Sequence, residues 1–266
     1  MSAYKKLSVI IPAYNKDSEV FQVVSSYVRL LKHQTYDWEI IVVDDASRDL
    51  TLREAVRSKK FNGSSEKIKI YSYNLNQGKG FAIYYGFKKS SGNIVAFADS
   101  DLDLDKSNLS VLLKQFVSTK SDIVIGSKRH PLSKVNYPAS RRLMSKCYQI
   151  LSGILFKLNI SDTQVGIKVF KREVLEKSLP RIVVKKYAFD LELLVVAKML
   201  GYNKITEAPI NLDYNFSSTI SIGSIFAILE DTLAIFWRKN FLKYYDTDHF
   251  RLNQDETLIT PVKAFA

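Results

Sequence analysis

Five short apolar runs, each followed by polar or acidic residues and then by a stretch with helical spacing, fill the first half of this 266-residue chain. Leu7-Ser8-Val9-Ile10-Ile11, Trp38-Glu39-Ile40-Ile41-Val42-Val43, residues 67–73, Ile94-Val95-Ala96-Phe97-Ala98 and Asp122-Ile123-Val124-Ile125-Gly126 read as strands, most of them apolar enough to be buried on both faces. Between them, Val20, Val23, Val24, Tyr27, Leu30 and Leu31 predict a helix over 18–32. Further helices are expected at 51–58, at 82–89 and around Leu109, Leu112, Leu113 and Phe116. Such alternation predicts an α/β fold, a doubly wound, mostly parallel sheet flanked by helices. Pro12 has no N–H for a ladder, so the first strand should stop there.

The strand ends carry acids. Asp44-Asp45 closes the second run, and Asp99, Asp101, Asp103 and Asp105 follow the fourth at every second position. Ligands of open α/β sheets gather at the carboxyl ends of strands. Carboxylates this close repel unless a cation lies among them. Mg²⁺ uses one or two carboxylates and completes its shell with substrate phosphates. Two readings stay open: an Asp-x-Asp that holds a metal and through it a diphosphate, or a solvated acidic turn capping a helix near Asp105 or Ser107. Asn76-Gln77-Gly78-Lys79-Gly80 opens a helix and offers backbone N–H groups and one cation to an anion. It lacks the spacing of a Walker loop.

The second half is less regular. A mobile loop is expected over 131–138 and a helix over 139–158 bearing Arg141, Arg142 and Lys146. Asp162-Thr163-Gln164 precedes a short strand at 165–170, and a helix over 188–200 carries Asp190 and Glu192. Pro209 interrupts a strand over 204–213, which should be an edge or bent strand. Ile222, Ile225, Phe226, Leu229, Leu233 and Phe236 form one stripe, either packed in the core or lying on a membrane surface. One domain is expected over 1–245, with a first half to 127 and a second from 128; residues 246–266 form a polar tail.

Charge is concentrated. Of the net +12, residues 128–186 hold fourteen Lys or Arg against three Asp or Glu, a net +11. Charge so localised points to a partner: nucleic acid, anionic lipid or a phosphorylated substrate. RNA-binding signatures are missing, so nucleic acid is not expected. Cys147 is the only cysteine, which excludes an internal disulfide and a thiolate metal site and suits a reducing compartment. The apolar run before Pro12 is too short for a signal peptide. The best candidate for a spanning helix, residues 220–237, is broken by Glu230 and Asp231, so no transmembrane segment is expected.

In sequence order, Ser8-Val9-Ile10-Ile11-Pro12-Ala13-Tyr14-Asn15, Val42-Val43-Asp44-Asp45-Ala46-Ser47, Asn76-Gln77-Gly78-Lys79-Gly80 and Ala98-Asp99-Ser100-Asp101 resemble family 2 glycosyltransferases of the GT-A fold. Asp162-Thr163-Gln164-Val165-Gly166-Ile167-Lys168 and Tyr187-Ala188-Phe189-Asp190-Leu191-Glu192 look like blocks of dolichyl-phosphate glucosyltransferases, with polyprenyl-phosphate mannosyltransferases close by. The resemblance covers residues 6–214. It implies that Pro12, Ala13, Tyr14, Asp44 and Asp45 surround the nucleoside, that Lys79 lies near the base or diphosphate, and that Asp99 faces the sugar or ribose. It makes Asp101 a ligand of Mg²⁺ or Mn²⁺, with Asp103 a second ligand. Lys128, Arg129, Arg141 and Arg142 would meet the acceptor phosphate, and Gln164 and Asp190 would line the sugar. Asp101, Asp190, Arg141 and Lys128 are the residues implied in catalysis. The chain departs from the pattern at Lys16, where the family usually has an acid, with Asp17 and Glu19 as the candidate substitutes. It departs again at Lys128, where relatives often carry Arg.

What the resemblance implies is inverting, metal-dependent transfer of a hexose from a nucleotide sugar to a polyprenyl or dolichyl phosphate. UDP-glucose is the first choice of donor and GDP-mannose the second. The place would be cytoplasmic, at the cytoplasmic face of a membrane, through peripheral contact of the basic segment and the apolar stripe. A phosphate nucleophile is already ionised near neutral pH, whereas a sugar hydroxyl needs a general base, for which Asp162, Asp190 and Glu192 are the candidates. A hydroxyl acceptor in glycan assembly is therefore the alternative. A non-catalytic nucleotide-sugar or nucleic-acid binding module is the third reading.

Overall fold

The computed structural model describes residues 6–63, 66–136, 139–213 and 222–247, with side chains for all of these except 139–143 and 222. Its centre is β1 (Lys6–Ala13), flanked on one side by β2 (Asp37–Asp44) and then β3 (Ile68–Ser72), all parallel. On the other side lies β4 (Ile94–Ala98), also parallel. Then comes β7 (Ile167–Lys171), antiparallel to β4 and to the next strand, β5 (Ile123–Ser127). β8 (Ile205–Pro209) closes the seven-stranded sheet, parallel to β5. This is the mostly parallel α/β sheet that the alternation predicts.

Helices cover both faces. Val9 and Ile11 of β1, with Ile40 and Val42 of β2, pack on α1 (Val20–Leu31) and α4 (Asn108–Thr119). Ile10, Ile41 and Val43 point the other way, toward α3 (Lys79–Lys88) and α7 (Phe189–Met199). Strand residues alternate faces, so two covered faces explain the uninterrupted apolar runs. α2 (Thr51–Phe61) flanks α1, and α6 (Arg172–Ser178) packs against α7.

Four expectations need correction. β1 runs through Pro12 to Ala13: its pairing with β4 ends at Ile10, so Pro12 faces a ladder partner on the β2 side alone. A proline is tolerated where one side of a strand has no neighbour. The loop expected over 131–138 contains β6 (Lys134–Asn136), which pairs in parallel with β9 (Asn211–Asp213). The strand expected over 204–213 divides at Ile210 into β8, on the sheet's edge, and β9. On α8 (Ile222–Asn240), Thr232 and Ile235 are fully buried while Phe226, Leu233 and Trp237 are exposed. The expected stripe therefore straddles the surface, and the inward face is shifted around the helix from it. α8 packs along α5 (Ala139–Phe156), with Phe156 and Phe236 6.4 Å apart and the hydroxyls of Tyr148 and Thr232 at 3.1 Å. The expected tail lies outside the described residues beyond 247.

Candidate active site

The carboxyl ends of β1, β2 and β4 meet the first turns of α3 and α7 on one rim of the sheet. Register sets Ala13 beside Asp44, and the Asp45 N–H donates to the Ala13 carbonyl at 2.8 Å. Pro12, Ala13, Tyr14, Asp44 and Asp45 thus share one corner. Both carboxylates there are committed to protein donors. Asp44 accepts from the Ser72 hydroxyl at 2.8 Å and the Ser47 N–H at 3.3 Å. Asp45 accepts from Tyr73 Oη at 2.7 Å, Asn76 Nδ2 at 2.9 Å, Gln77 N–H at 2.8 Å and Gly78 N–H at 2.9 Å. A short polar side chain at a strand end thereby shapes the loop that opens α3. Gly78, at φ +93°, turns that loop tightly against Lys185, whose carbonyl would lie 2.6 Å from any Cβ.

Beyond Gly78 the chain delivers Lys79 into a line of alternating charges. Its ammonium lies 2.9 Å from Asp99 at the tip of β4 and 3.2 Å from Asp190 on α7. Asp190 in turn lies 2.6 Å from Lys168 of β7, which also donates to the Val165 carbonyl. Burial would weaken the Lys79 ammonium, but Asp190 and Asp99 outweigh it and hold the amine charged well above the usual range. For Asp190, burial pushes the carboxyl up while Lys168 and Lys79 pull harder, leaving it below the ordinary value. Burial lowers the Lys168 amine despite Asp190. Lys79, Asp99 and Asp190 were expected at the site. Lys168 was missed, although a lone cation inside Ile167-Lys168-Val169-Phe170 is a visible signal, since a buried charge needs a partner.

Asp101 stands just outside this line. Lys16 Nζ lies 2.6 Å from its Oδ1 and 3.0 Å from Glu19, whose other oxygen accepts the Leu102 N–H at 3.1 Å. Burial and the nearby Asp99 push the Asp101 carboxyl up against the pull of Lys16. Buried Lys106 donates to the carbonyls of Asp101 and Leu104 and folds the acidic stretch back on itself. Burial brings that amine down to about 8, with Asp101, Asp99 and Asp105 opposing. The acidic stretch is thus a clamped loop, and α4 starts after it at Asn108 with no side-chain cap from Ser107. Asp103 is half-buried, and its carbonyl accepts the Asp213 N–H at 2.9 Å.

After β5, Asp162 accepts the Lys128 N–H at 3.2 Å, lies 3.5 Å from the Lys128 ammonium and accepts the Gln164 N–H at 3.2 Å. Lys128, Asp162 and Gln164 therefore form one turn. Arg129 donates to Ser145 at 2.8 Å while its Nε is buried with no acceptor. Arg141 and Arg142 sit in the first turn of α5, where side chains lie outside the described residues. Glu192 is fully buried: one oxygen accepts from Tyr245 and Arg238, the other from the N–H groups of Val183 and Val184. That removes it from the candidate bases.

The donor set suits a hard divalent ion. Among the described residues no three His, Cys, Asp or Glu side chains cluster as a ready-made cage. Asp101, partly exposed and destabilised as an anion by burial and by Asp99, offers oxygen alone. One carboxylate completed by substrate phosphates is the arrangement Mg²⁺ prefers.

Sheet order and strand-tip acids define an α/β fold with its polar rim at the strands' carboxyl ends, and the chain belongs to glycosyl transferase family 2, whose model matches residues 8–179. A dolichyl-phosphate beta-glucosyltransferase of Drosophila melanogaster is 32% identical over 209 residues, covering 73% of this chain and 63% of that protein. One of Trichomonas vaginalis is 32% identical over 263 residues, covering 91% and 77%. The chain thus spans less than two thirds of the fly relative's length. The glucosyl-3-phosphoglycerate synthase of Mycobacterium tuberculosis, solved with Mn²⁺, uridine diphosphate and glucosyl-3-phosphoglycerate, superposes with a TM-score of 0.68 at 20% identity, over 88% of this chain and 80% of that one. The likeness establishes the GT-A fold.

Proposed function

We propose that this chain transfers glucose from UDP-glucose to a polyprenyl or dolichyl phosphate with inversion at the anomeric carbon. One observation carries the choice of acceptor: every carboxylate considered as a general base is already engaged. Glu192 is sealed between Arg238, Tyr245 and two backbone N–H groups. Asp190 lies between two lysines, which weakens it as a base. Asp162 is tied into the Lys128–Gln164 turn. A hydroxyl acceptor needs a base, whereas a phosphate monoester arrives ionised and needs only to be steered. Lys128 and the buried, unpaired Nε of Arg129 suit that task, together with Arg141 and Arg142 on the first turn of α5.

On this reading the corner formed by Pro12, Ala13, Tyr14, Asp44 and Asp45 seats the nucleoside, and Asp99 faces the donor sugar beside Lys79. Gln164 lines the sugar. Asp101, with Asp103 as second ligand, would hold Mg²⁺ or Mn²⁺, which neutralises charge developing on the diphosphate leaving group. Lys79 keeps Asp99 and Asp190 oriented. Both relatives named above are called dolichyl-phosphate beta-glucosyltransferases, which favours glucose over mannose. No helix among the described residues is long and apolar enough to cross a membrane. Contact with the lipid's membrane would then come from the exposed apolar residues Ile150 and Ile154 of α5 and Phe226, Leu233 and Trp237 of α8.

A donor-by-acceptor screen tests the reading. The protein is incubated with UDP-glucose or GDP-mannose, with polyprenyl phosphate or a glycan hydroxyl acceptor, with and without Mn²⁺. Product from UDP-glucose and polyprenyl phosphate alone is expected. Product only with the hydroxyl acceptor would overturn the reading.

A further inference from the structure

Lys16 occupies Asp101, the first of the two carboxylates to which the metal is assigned. Its ammonium is shared between Asp101 at 2.6 Å and Glu19 at 3.0 Å. The pairing is built into the backbone. Asn15, at φ +52°, turns the chain after β1. The Asn15 N–H donates to Ser47 Oγ at 2.9 Å, the Arg48 N–H donates back to Asn15 Oδ1 at 2.9 Å, and the Lys16 N–H donates to Thr51 Oγ1 at 2.6 Å. The Lys16 carbonyl then accepts the Glu19 and Val20 N–H groups at 3.1 and 2.9 Å, opening α1. Glu19 closes the circuit by accepting the Leu102 N–H, one residue past Asp101. Two loops and a helix start thus hold one cation against one carboxylate. The Lys16 and Asp101 side chains are 28% and 46% exposed, so incoming ligands can reach the pair.

We propose that Lys16 is a resident cation at Asp101, which a divalent ion must displace, with Glu19 as the partner that retains the displaced ammonium. The inference rests on the reading of Asp101 as the metal ligand. Two consequences follow from charge. A bare divalent ion meets a carboxylate already neutralised and a like charge a few ångströms away, so it binds weakly. An ion carried by a nucleoside diphosphate brings its own phosphate ligands and binds with less penalty, because the phosphates also attract Lys16. Lys16 therefore makes metal binding depend on the nucleotide, and keeps the acidic loop folded before either arrives.

The test is Mn²⁺ binding without turnover, followed by the electron paramagnetic resonance of free Mn²⁺ during titration, alone and with UDP. For Lys16→Gln, the affinity for Mn²⁺ alone should rise about tenfold, the order expected from removing one like charge beside a divalent ion. Its gain with UDP present should be smaller. Lys16→Arg keeps the charge and should bind Mn²⁺ as weakly as the unmodified protein. Asp101→Asn should lose Mn²⁺ in every background. Equal or weaker Mn²⁺ binding by Lys16→Gln, with Asp101→Asn still losing the ion, would overturn the role of Lys16 and leave the metal assignment standing. Mn²⁺ binding unaffected by Asp101→Asn would overturn both. Circular dichroism of each variant shows whether the fold is retained, and Lys16→Arg supplies a charge-matched control should Lys16→Gln unfold.

Discussion

Asp99 stands in the space that a side chain on Gly166 would fill. Its N–H donates to the Gly166 carbonyl at 3.1 Å, and a Cβ on Gly166 would fall 1.6 Å from Asp99 Oδ2. The conflict involves the carboxylate itself, which must leave Lys79 to make room. Gly166→Ala is expected to cost about 1–3 kcal/mol by overpacking. Displacing Asp99 by an ångström or more should lower kcat by about 100-fold. Thermal unfolding and steady-state transfer check both. Asp99→Ala combined with Gly166→Ala should restore the melting temperature without restoring turnover. Full activity in Gly166→Ala would show that Asp99 can leave Lys79 without consequence.

Lys168 and Asp190 make a second prediction. The lysine side chain is 1% exposed and the aspartate 6%, so the pair is desolvated. Breaking one partner of such a pair strands the other, whereas removing both costs less. Lys168→Met leaves Asp190 with Lys79 alone and should destabilise by about 1–3 kcal/mol, read as a shift in the denaturant midpoint. Lys168→Met with Asp190→Leu should recover at least half of that loss, while transfer stays low because Lys79 has lost a partner. Equal midpoints for the single and double variants would argue that the pair is uncoupled.

The legible and the illegible parts of this site differ in kind. The strand tips could be read because apolar runs covered on both faces leave little choice of structure, and their ends mark where polar groups become useful. Asp44, Asp45, Lys79, Asp99 and Asp101 all fall on that rim. The direction of β7 could not be read, since Ile167–Lys171 has the composition of any buried strand and pairing partners decide its sense. Pro12 defied a local rule because the end of the β4 ladder, a property of another strand, relieves it. Lys16 stood out as an unexpected cation, but its pairing with Asp101 joins loops far apart in sequence. Glu192 reads as a candidate base in the sequence because Arg238 and Tyr245, which engage it, lie on the last described elements.

At the opposite end of the sheet Glu39 predicts acid sensitivity. It is buried in β2, accepting from Ser8 Oγ at 2.7 Å and the Ser91 N–H at 2.6 Å, with the Lys69 ammonium at 2.7 Å. Burial alone would raise its carboxyl, but Lys69, Ser8 and Ser91 together hold it at about 2, against an ordinary value of 4.5. A carboxyl lowered by folding stabilises the protein above its unfolded value and loses that contribution as pH falls. Stability should therefore drop by about 3 kcal/mol between pH 4.5 and pH 2 from this residue. Glu39→Gln should be less stable at pH 7 and should flatten that part of the curve. Urea midpoints measured across the range check this, and parallel curves for the two proteins would contradict it.

The outer face of α5 and α8 supplies the last prediction. Phe226, Leu233 and Trp237 are exposed on one side of α8, where Trp237 stacks on Phe241 at 4.3 Å and exposed Glu230 lies between Phe226 and Leu233. Ile150 and Ile154 are exposed on neighbouring α5. Lys239 occupies the last turn of α8, where it can meet anionic headgroups, while Arg238 beside it is held by Glu192. Each large apolar side chain moved from water into lipid contributes roughly 1.5–3 kcal/mol. Replacing Phe226, Leu233 and Trp237 together by Ser should therefore abolish flotation with anionic vesicles. The buried face, built on Thr232 and Ile235, is untouched, so the melting temperature should hold. Turnover on a short, water-soluble polyprenyl phosphate should persist, while turnover on vesicle-embedded acceptor should fall at least tenfold, a loss of about 1.4 kcal/mol. Undiminished flotation by the triple variant would assign these side chains another role.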